Sequence, residues 1–251
     1  MLKKIILGLL IIALLILVFS YKNLRNADIN TLKIKSLKKI NKTILQISDF
    51  HSSKFIDLKD LEKRLKDKKI DFAVLTGDIY ENDLKQVQDL FNMLKNLGLK
   101  TYIVLGNHEE AKSLTILEDY FSLIKRYGFK LLRNEKISLD DIDIYGVDFF
   151  SFENPKMENS NKFNLLLMHA PHYVKYLNDK YDLILSGHTH GGQVRLPFIG
   201  ALFVPGQSKI IYDKGLYDTK WGKMNVDSGV GYTGLPLRLF NKAQVSLIEI
   251  N

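Results

Sequence analysis

The alternation of two kinds of segment constrains this chain most. Short apolar runs rich in β-branched residues alternate with stretches whose apolar side chains recur at helical spacing. "TILQIS" (43–48), "DFAVLTGD" (71–78) and "KTYIVLGN" (100–107) are of the first kind. "LKDLEKRLKDKK" (58–69), "DLKQVQDLFNMLKNLG" (83–98) and "SLTILEDYFSLIKRYG" (113–128) are of the second, and the last two end in glycine;. Strands separated by helices of about 10–15 residues argue for crossover units and a mainly parallel sheet. The second half adds "KISL", "DIDIYGV", "FNLLLMH", "YDLILSGH", "MNVDSG" and "QVSLIEI", all strand-like. The expected fold class is therefore α/β, a two-sheet β-sandwich flanked by helices.

The N-terminus sets the domain plan. Two lysines precede an apolar run from Ile5 to Tyr21. A run of about 17 residues reaches the lower limit for crossing a bilayer and exceeds the usual apolar core of a cleaved signal. Small residues at Val18 and Ser20 do not make an A-x-A cleavage site. The expectation is an uncleaved signal-anchor over 1–21, a stalk and edge strand over 22–42, and one folded domain over 43–251. Lys3 and Lys4 favour a cytoplasmic N-terminus, which puts the domain outside the cytoplasm in a single-pass cell-membrane protein;. Lys22 and Arg25 on the far flank weigh against that orientation.

With no cysteine, neither a disulfide framework nor a thiolate metal site is available;. The net charge of +8 is scattered. It suits an anionic surface or a phosphate substrate, but no basic block with interleaved aromatics marks a nucleic-acid face.

Each apolar run ends in a polar cluster. Asp49 and His51 follow the first, Asp78 the second, and Asn107, His108 and Glu109 the third. His169 follows "FNLLLM", and His188 and His190 follow "YDLILS". Sites gather at the carboxyl ends of strands in parallel α/β sheets. Residues i and i+2 of an extended segment point the same way, so Asp49 and His51 can face one ion together, and so can His188 and His190. Imidazole nitrogens with carboxylate and amide oxygens suit zinc, manganese, iron or cobalt.

The motifs "DFH", "TGDIY", "GNHEE", "LMHAP" and "SGHTHGG", in this order, resemble those of the calcineurin-like metallophosphoesterases. The likeness spans residue 43 to about 250, and the tail "GHTHGGQVRLPFIG" with "SGVGYTGLPLRLF" looks like a membrane-anchored or exported bacterial branch. The resemblance implies the family's four-layer fold and two divalent metal ions. It implies that Asp49, His51 and His190 hold one ion, that Asn107, His169 and His188 hold the other, and that Asp78 bridges both. His108 would be catalytic, stabilising the transition state or protonating the leaving oxygen. Hydrolysis of a phosphomonoester, phosphodiester or pyrophosphate by metal-activated hydroxide follows.

Other signals carry less. "GVGYTG" (229–234) matches G-x-G-x-x-G, but Leu235-Pro236 follows instead of a helix, so a loop near the site is expected rather than a dinucleotide site;. His172, Arg195 and Arg238 are candidate substrate contacts. Glu109 is read either as orienting a neighbouring histidine or as solvated. "FFSFENPKMENSNKF" (149–163) reads as a surface loop with an aromatic plug or as a lid. "RLPFIGALFVPGQ" (195–207) reads as core packing or as an apolar rim for a membrane or an acyl chain;. The anchor and this rim favour lipid- or envelope-linked phosphates. The alternatives are a nuclease or nucleotide phosphodiesterase of the same fold, a non-catalytic metal-binding scaffold, and a soluble enzyme cleaved behind Ser20.

Overall fold

The computed structural model describes residues 1–157, 161–207 and 210–251. Helix α1 (Leu2–Arg25) is long and apolar enough to cross a membrane, and its large apolar side chains from Ile5 to Phe19 are exposed. Residues 22–25, expected in a stalk, instead continue this helix. Ser20, Asn23 and Leu24 are buried against the domain. The Asn23 amide donates to the Arg238 carbonyl at 3.0 Å, the Ser20 hydroxyl accepts from the Arg238 N–H at 2.8 Å, and the Asn23 carbonyl accepts from the Ala243 N–H.

Two six-stranded sheets follow. The first contains β1 (Asp28–Ile34), β2 (Lys42–Ile47), β3 (Phe72–Thr76), β4 (Thr101–Val104), β5 (Lys130–Leu131) and β14 (Gln244–Ile250), in the order β1-β14-β2-β3-β4-β5. Strands β2 to β5 are parallel and β14 runs antiparallel to β2. The second contains β6 (Glu135–Ser138), β7 (Ile142–Gly146), β8 (Phe163–Leu167), β9 (Leu183–Ser186), β12 (Gly215–Thr219) and β13 (Gly222–Val226), in the order β12-β13-β9-β8-β7-β6. Its four central strands are parallel. A small antiparallel hairpin, β10 (Arg195–Leu196) and β11 (Gly200–Ala201), stands apart.

Period-two alternation sorts the strand residues into layers. Ile44, Phe72 and Val74 face Ile144, Leu165 and Leu183 between the sheets. Their neighbours Leu45, Ala73 and Leu75 face the helices α2 (Leu58–Leu65), α3 (Leu84–Asn96) and α5 (Leu114–Arg126). The helical stripes deliver Leu61, Leu65, Val87, Phe91, Leu94 and Tyr120 to that layer. Asp57 caps α2 by accepting from the Asp60 N–H, and Asp83 caps α3 by accepting from the Lys85 N–H;. The outer face of the second sheet is covered by a 3₁₀ turn, Pro171–Tyr176, and by Tyr212, Tyr217 and Trp221.

Candidate metal centre

Strands β2, β3, β4, β8 and β9 end at the same edge of the sandwich, and the chain turns sharply after each. Asp49, His51, Asp78, His188 and His190 all adopt left-handed backbone, with φ between 48° and 70°. Such a conformation costs a non-glycine residue on the order of 1–3 kcal/mol, and it clusters at functional sites. Short helix α4 (Asn107–Glu110) begins directly after β4 and presents Asn107 and His108 to the same edge. Close approach makes glycine necessary at 106 and 187. A Cβ at Gly106 would collide with the Asp78 carboxylate, and one at Gly187 with Asp49 and Ser48;.

Two clusters result. Asp49, His51 and His190 form one, and Asp78, His169 and His188 form the other, all six side chains buried. His51 Nε2 lies 3.2 Å from His190 Nε2, and His190 Nε2 lies 3.5 Å from Asp49 Oδ1. Across the second cluster, His188 Nδ1 lies 3.1 Å from His169 Nε2, which lies 3.1 Å from Asp78 Oδ2. Asp78 Oδ2 is also 3.7 Å from His51 Nε2, so this carboxylate stands between the clusters. His188 and His190 therefore belong to different clusters, in the division that the family resemblance implies and not in the one that period two allows. The left-handed turns at both residues remove the extended geometry on which period two rests. Asp49 and His51 do share a cluster, but through left-handed turns as well.

The donor set fits divalent cations. Ligand atoms about 2.0–2.1 Å from a zinc ion at tetrahedral angles lie about 3.4 Å apart, close to the separations found here. The buried Asn107 Oδ1 has no hydrogen-bond partner. His169 donates from Nδ1 to the Thr76 carbonyl at 2.8 Å, which aims Nε2 into the cluster;. Protonation states agree. Burial opposes the charge of Asp78, but His169 outweighs it and holds this carboxyl well below the usual range. Burial likewise opposes a charge on His169, and Asp78 nevertheless lifts it to about 10. Burial, then His169, pushes His188 down to about 3, and burial holds His190 far below its ordinary value. Neutral imidazoles are what a metal requires.

Glu81 is a site residue that sequence reasoning missed. Its Oε2 lies 3.0 Å from His51 Nδ1 and 2.6 Å from His108 Nδ1. It orients both rings, and its hydrogen bond raises the His108 pKa;. Its only sequence signal is its place three residues after Asp78. His108 lines an open cavity of about 360 Å³ with His51, Glu81, Lys54, Tyr232 and Thr233.

Glu109 matches neither of its expected roles. It is buried, and its carboxylate accepts from the N–H groups of Asp78, Ile79, Tyr80 and Gly106 at 2.5–2.9 Å. It clamps the turn after β3 to the turn after β4. The loop holding 229–234 closes over the first cluster, where the Thr233 hydroxyl lies 2.8 Å from His190 Nε2. Asp227, also missed, supports this loop by accepting from the Gly229 N–H at 2.7 Å, and burial pushes its carboxyl up to about 6.

Among the expected substrate contacts, Arg238 is corrected. Its guanidinium is fully buried and donates to the carbonyls of Gly231, Ser228 and Lys242. It braces the loop from beneath. Arg195 is also engaged elsewhere, donating to the Gly191 carbonyl at 3.0 Å and to Asp213 at 2.6 Å. His172 stays beside the site, its ring centroid 5.6 Å from that of His188. Within 149–163, Phe149 covers His169 and His188, and Glu110 holds it by accepting from the Phe149 and Phe150 N–H groups. Residues 158–160 of that segment lie outside the described residues.

The sequence profile of the calcineurin-like phosphoesterases matches residues 42–192, more than half of the chain and all of the cluster residues. The chain belongs to that family. Among its relatives, an uncharacterized metallophosphoesterase of Bacillus subtilis, YkuE, is 33% identical over 226 residues, covering 82% of this chain and 78% of the relative. One from Aquifex aeolicus is 32% identical, with 82% and 84% covered. The phosphodiesterase YaeI of Escherichia coli is 26% identical, with 82% and 81% covered. This member of the family is a hydrolase acting on phosphate esters, with His and Asp groups placed to bind metal.

Proposed function

We propose that the protein is a membrane-anchored, two-metal phosphohydrolase acting on lipid- or envelope-linked phosphates. The observation that carries the two-metal reading is Asp78, whose Oδ2 lies within reach of both histidine clusters. Asp49, His51 and His190 would hold one cation, and Asn107, His169 and His188 the other, with Asp78 shared. Bound divalent cations would neutralise phosphoryl oxygens and activate water at neutral pH. The chain's own residues do the rest. His108, held by Glu81 and with its side chain 28% exposed in the cavity, would stabilise phosphoryl charge and donate a proton to the leaving oxygen;. His172 flanks His188 and remains the candidate contact for a leaving group.

Membrane anchorage is supported by the apolar exposure of α1 and by Ser20. The Ser20 hydroxyl is a buried partner of the Arg238 backbone, so cleavage behind it would remove a contact that positions the loop over the site. The domain's placement outside the cytoplasm rests on Lys3 and Lys4.

The test is hydrolysis of an aryl phosphate and an aryl phosphodiester by metal-stripped protein resupplied with manganese, zinc or cobalt. Two bound ions per chain with restored turnover are expected. A chain that binds no metal, or an Asp78→Asn and a His188→Ala variant that both turn over normally, would overturn the assignment.

A further inference from the structure

The root of α1 and the catalytic edge lie at the same end of the first sheet. Strand β14 is antiparallel to β2, so its first residues stand beside the last residues of β2, Ser246 opposite Gln46. The chain leaves α1 and enters β1 at that end, Asp28 opposite Gln244. The wall of the catalytic cavity, Tyr232 to Gly234, runs directly into Leu235 and Pro236 at the helix root. An aromatic chain makes the same link, with Tyr232 5.4 Å from Phe55 and Phe55 6.3 Å from Tyr21 of α1.

Around this root the domain exposes large apolar side chains. Phe240 packs 5.6 Å from Phe19 of α1 and is 58% exposed, and Leu235 is 74% exposed. Leu239 pairs with Val194 and its carbonyl accepts from the Arg195 N–H, which places the β10–β11 hairpin alongside. On and just beyond that hairpin, Phe198, Ile199, Leu202 and Phe203 all point into solvent. Exposed apolar patches of this kind mark contact surfaces. Between α1 and the domain, Lys214 and Lys242 line a cavity of about 320 Å³ with Phe19 and Phe240. Asp28 offsets Lys242 at 3.1 Å, leaving the cavity with net positive charge.

We propose that this face is a second membrane contact, with the β10–β11 hairpin, Leu235 and Phe240 seated in the interface of a bilayer containing anionic lipid. The inference rests on reading α1 as a membrane anchor. The buried last turn of α1 leaves the domain little freedom to tilt, so whatever surrounds the root meets the headgroup layer. Apolar side chains then enter the acyl boundary while Lys214 and Lys242 meet anionic headgroups. The catalytic cavity opens at headgroup depth, and a phosphate on a lipid-anchored molecule reaches it without leaving the membrane.

The chain has no cysteine, so single substitutions accept a unique label. Ile199→Cys and Phe203→Cys, labelled with an environment-sensitive fluorophore in the full chain, are reconstituted into phosphatidylcholine–phosphatidylglycerol vesicles. Leu37→Cys, exposed and three residues past the far end of β1, is the water-exposed control, and Ile11→Cys reports on the helix. Blue-shifted emission at 199 and 203, quenched by a nitroxide held near the headgroups, is expected, with no quenching at 37. Quenching at 11 without quenching at 199 and 203 overturns the second contact and leaves the anchor standing. Absence of quenching at all three overturns both. Aryl phosphate hydrolysis by the same vesicles separates either failure from that of the catalytic reading.

Discussion

His190 and Arg195 are near neighbours in the chain, yet the regions they belong to obey opposite rules. The metal centre is polar and buried, and its residues are held by contacts from five strand ends. The hairpin beginning at Arg195 is apolar and exposed, and two residue pairs close it. Charge inside the centre persists because partners surround it: Asp49 accepts twice from the His188 N–H, and Asp78 accepts from the His108 N–H;. Apolar surface on the hairpin has no such partner among the described residues. A buried polar group is thus explained by the molecule itself, whereas an exposed apolar one points to something outside it.

The contrast can be broken or sharpened by substitution. The largest effect is expected from Asp78→Asn, which would weaken the carboxylate proposed to serve both clusters. A loss of several kcal/mol of transition-state stabilisation, on the order of 10³-fold in turnover, is expected in aryl phosphate assays. Full turnover would mean that the shared carboxylate is dispensable.

Arg238→Met should come next, and through stability. Two buried carbonyls, of Gly231 and Ser228, lose their donor, and unmet buried acceptors cost about 1–3 kcal/mol each. Urea unfolding of the detergent-solubilised chain should show at least about 2 kcal/mol of destabilisation. A change under about 1 kcal/mol would mean that Arg238 does not brace the loop and would reopen its candidacy as a substrate contact.

Glu81→Gln keeps the size of the side chain but removes the charge that orients His51 and His108. Loss of an outer partner of this kind costs about 10–100-fold in metal affinity or activity. Metal titration together with turnover should register it, and wild-type values in both would remove Glu81 from the site.

The smallest effect is expected at the hairpin. Phe203→Ser should change unfolding free energy by no more than about 0.5 kcal/mol, because the ring is already in solvent. A large loss would show that the hairpin packs against the domain in solution, and the contrast with the centre would fail.

Much of the fold was legible in advance, because strand and helix periodicities are local. The helices over 58–65, 84–96 and 114–126 lie inside the stretches read from apolar spacing; the first stops four residues short of the stretch, and the other two end before the terminal glycines. The site was legible as a set of residue types at strand ends. Its pairing was not legible from spacing alone. Period two allowed His188 and His190 to face one ion, whereas left-handed turns at both residues divide them between two clusters, the division that the family resemblance implies. Glu81 and the clamp made by Glu109 escaped notice because their partners His51, Asp78, Ile79 and Tyr80 lie about 30 residues away, where no local pattern reaches. Arg238 looked like a phosphate contact because an arginine beside a site motif usually faces solvent, and only packing shows this one turned inward.

Alone, the order of residues determined which segments are strands, which are helices, and where oxygen and nitrogen ligands cluster along the chain. Those are properties of neighbours within a few positions, governed by backbone period and side-chain type. Tertiary structure decided which imidazole faces which carboxylate, which charges are buried, and which end of the sheet the apolar helix shares with the site. Such relations depend on strand direction and on turns between distant segments, and they exist only once the two sheets have packed.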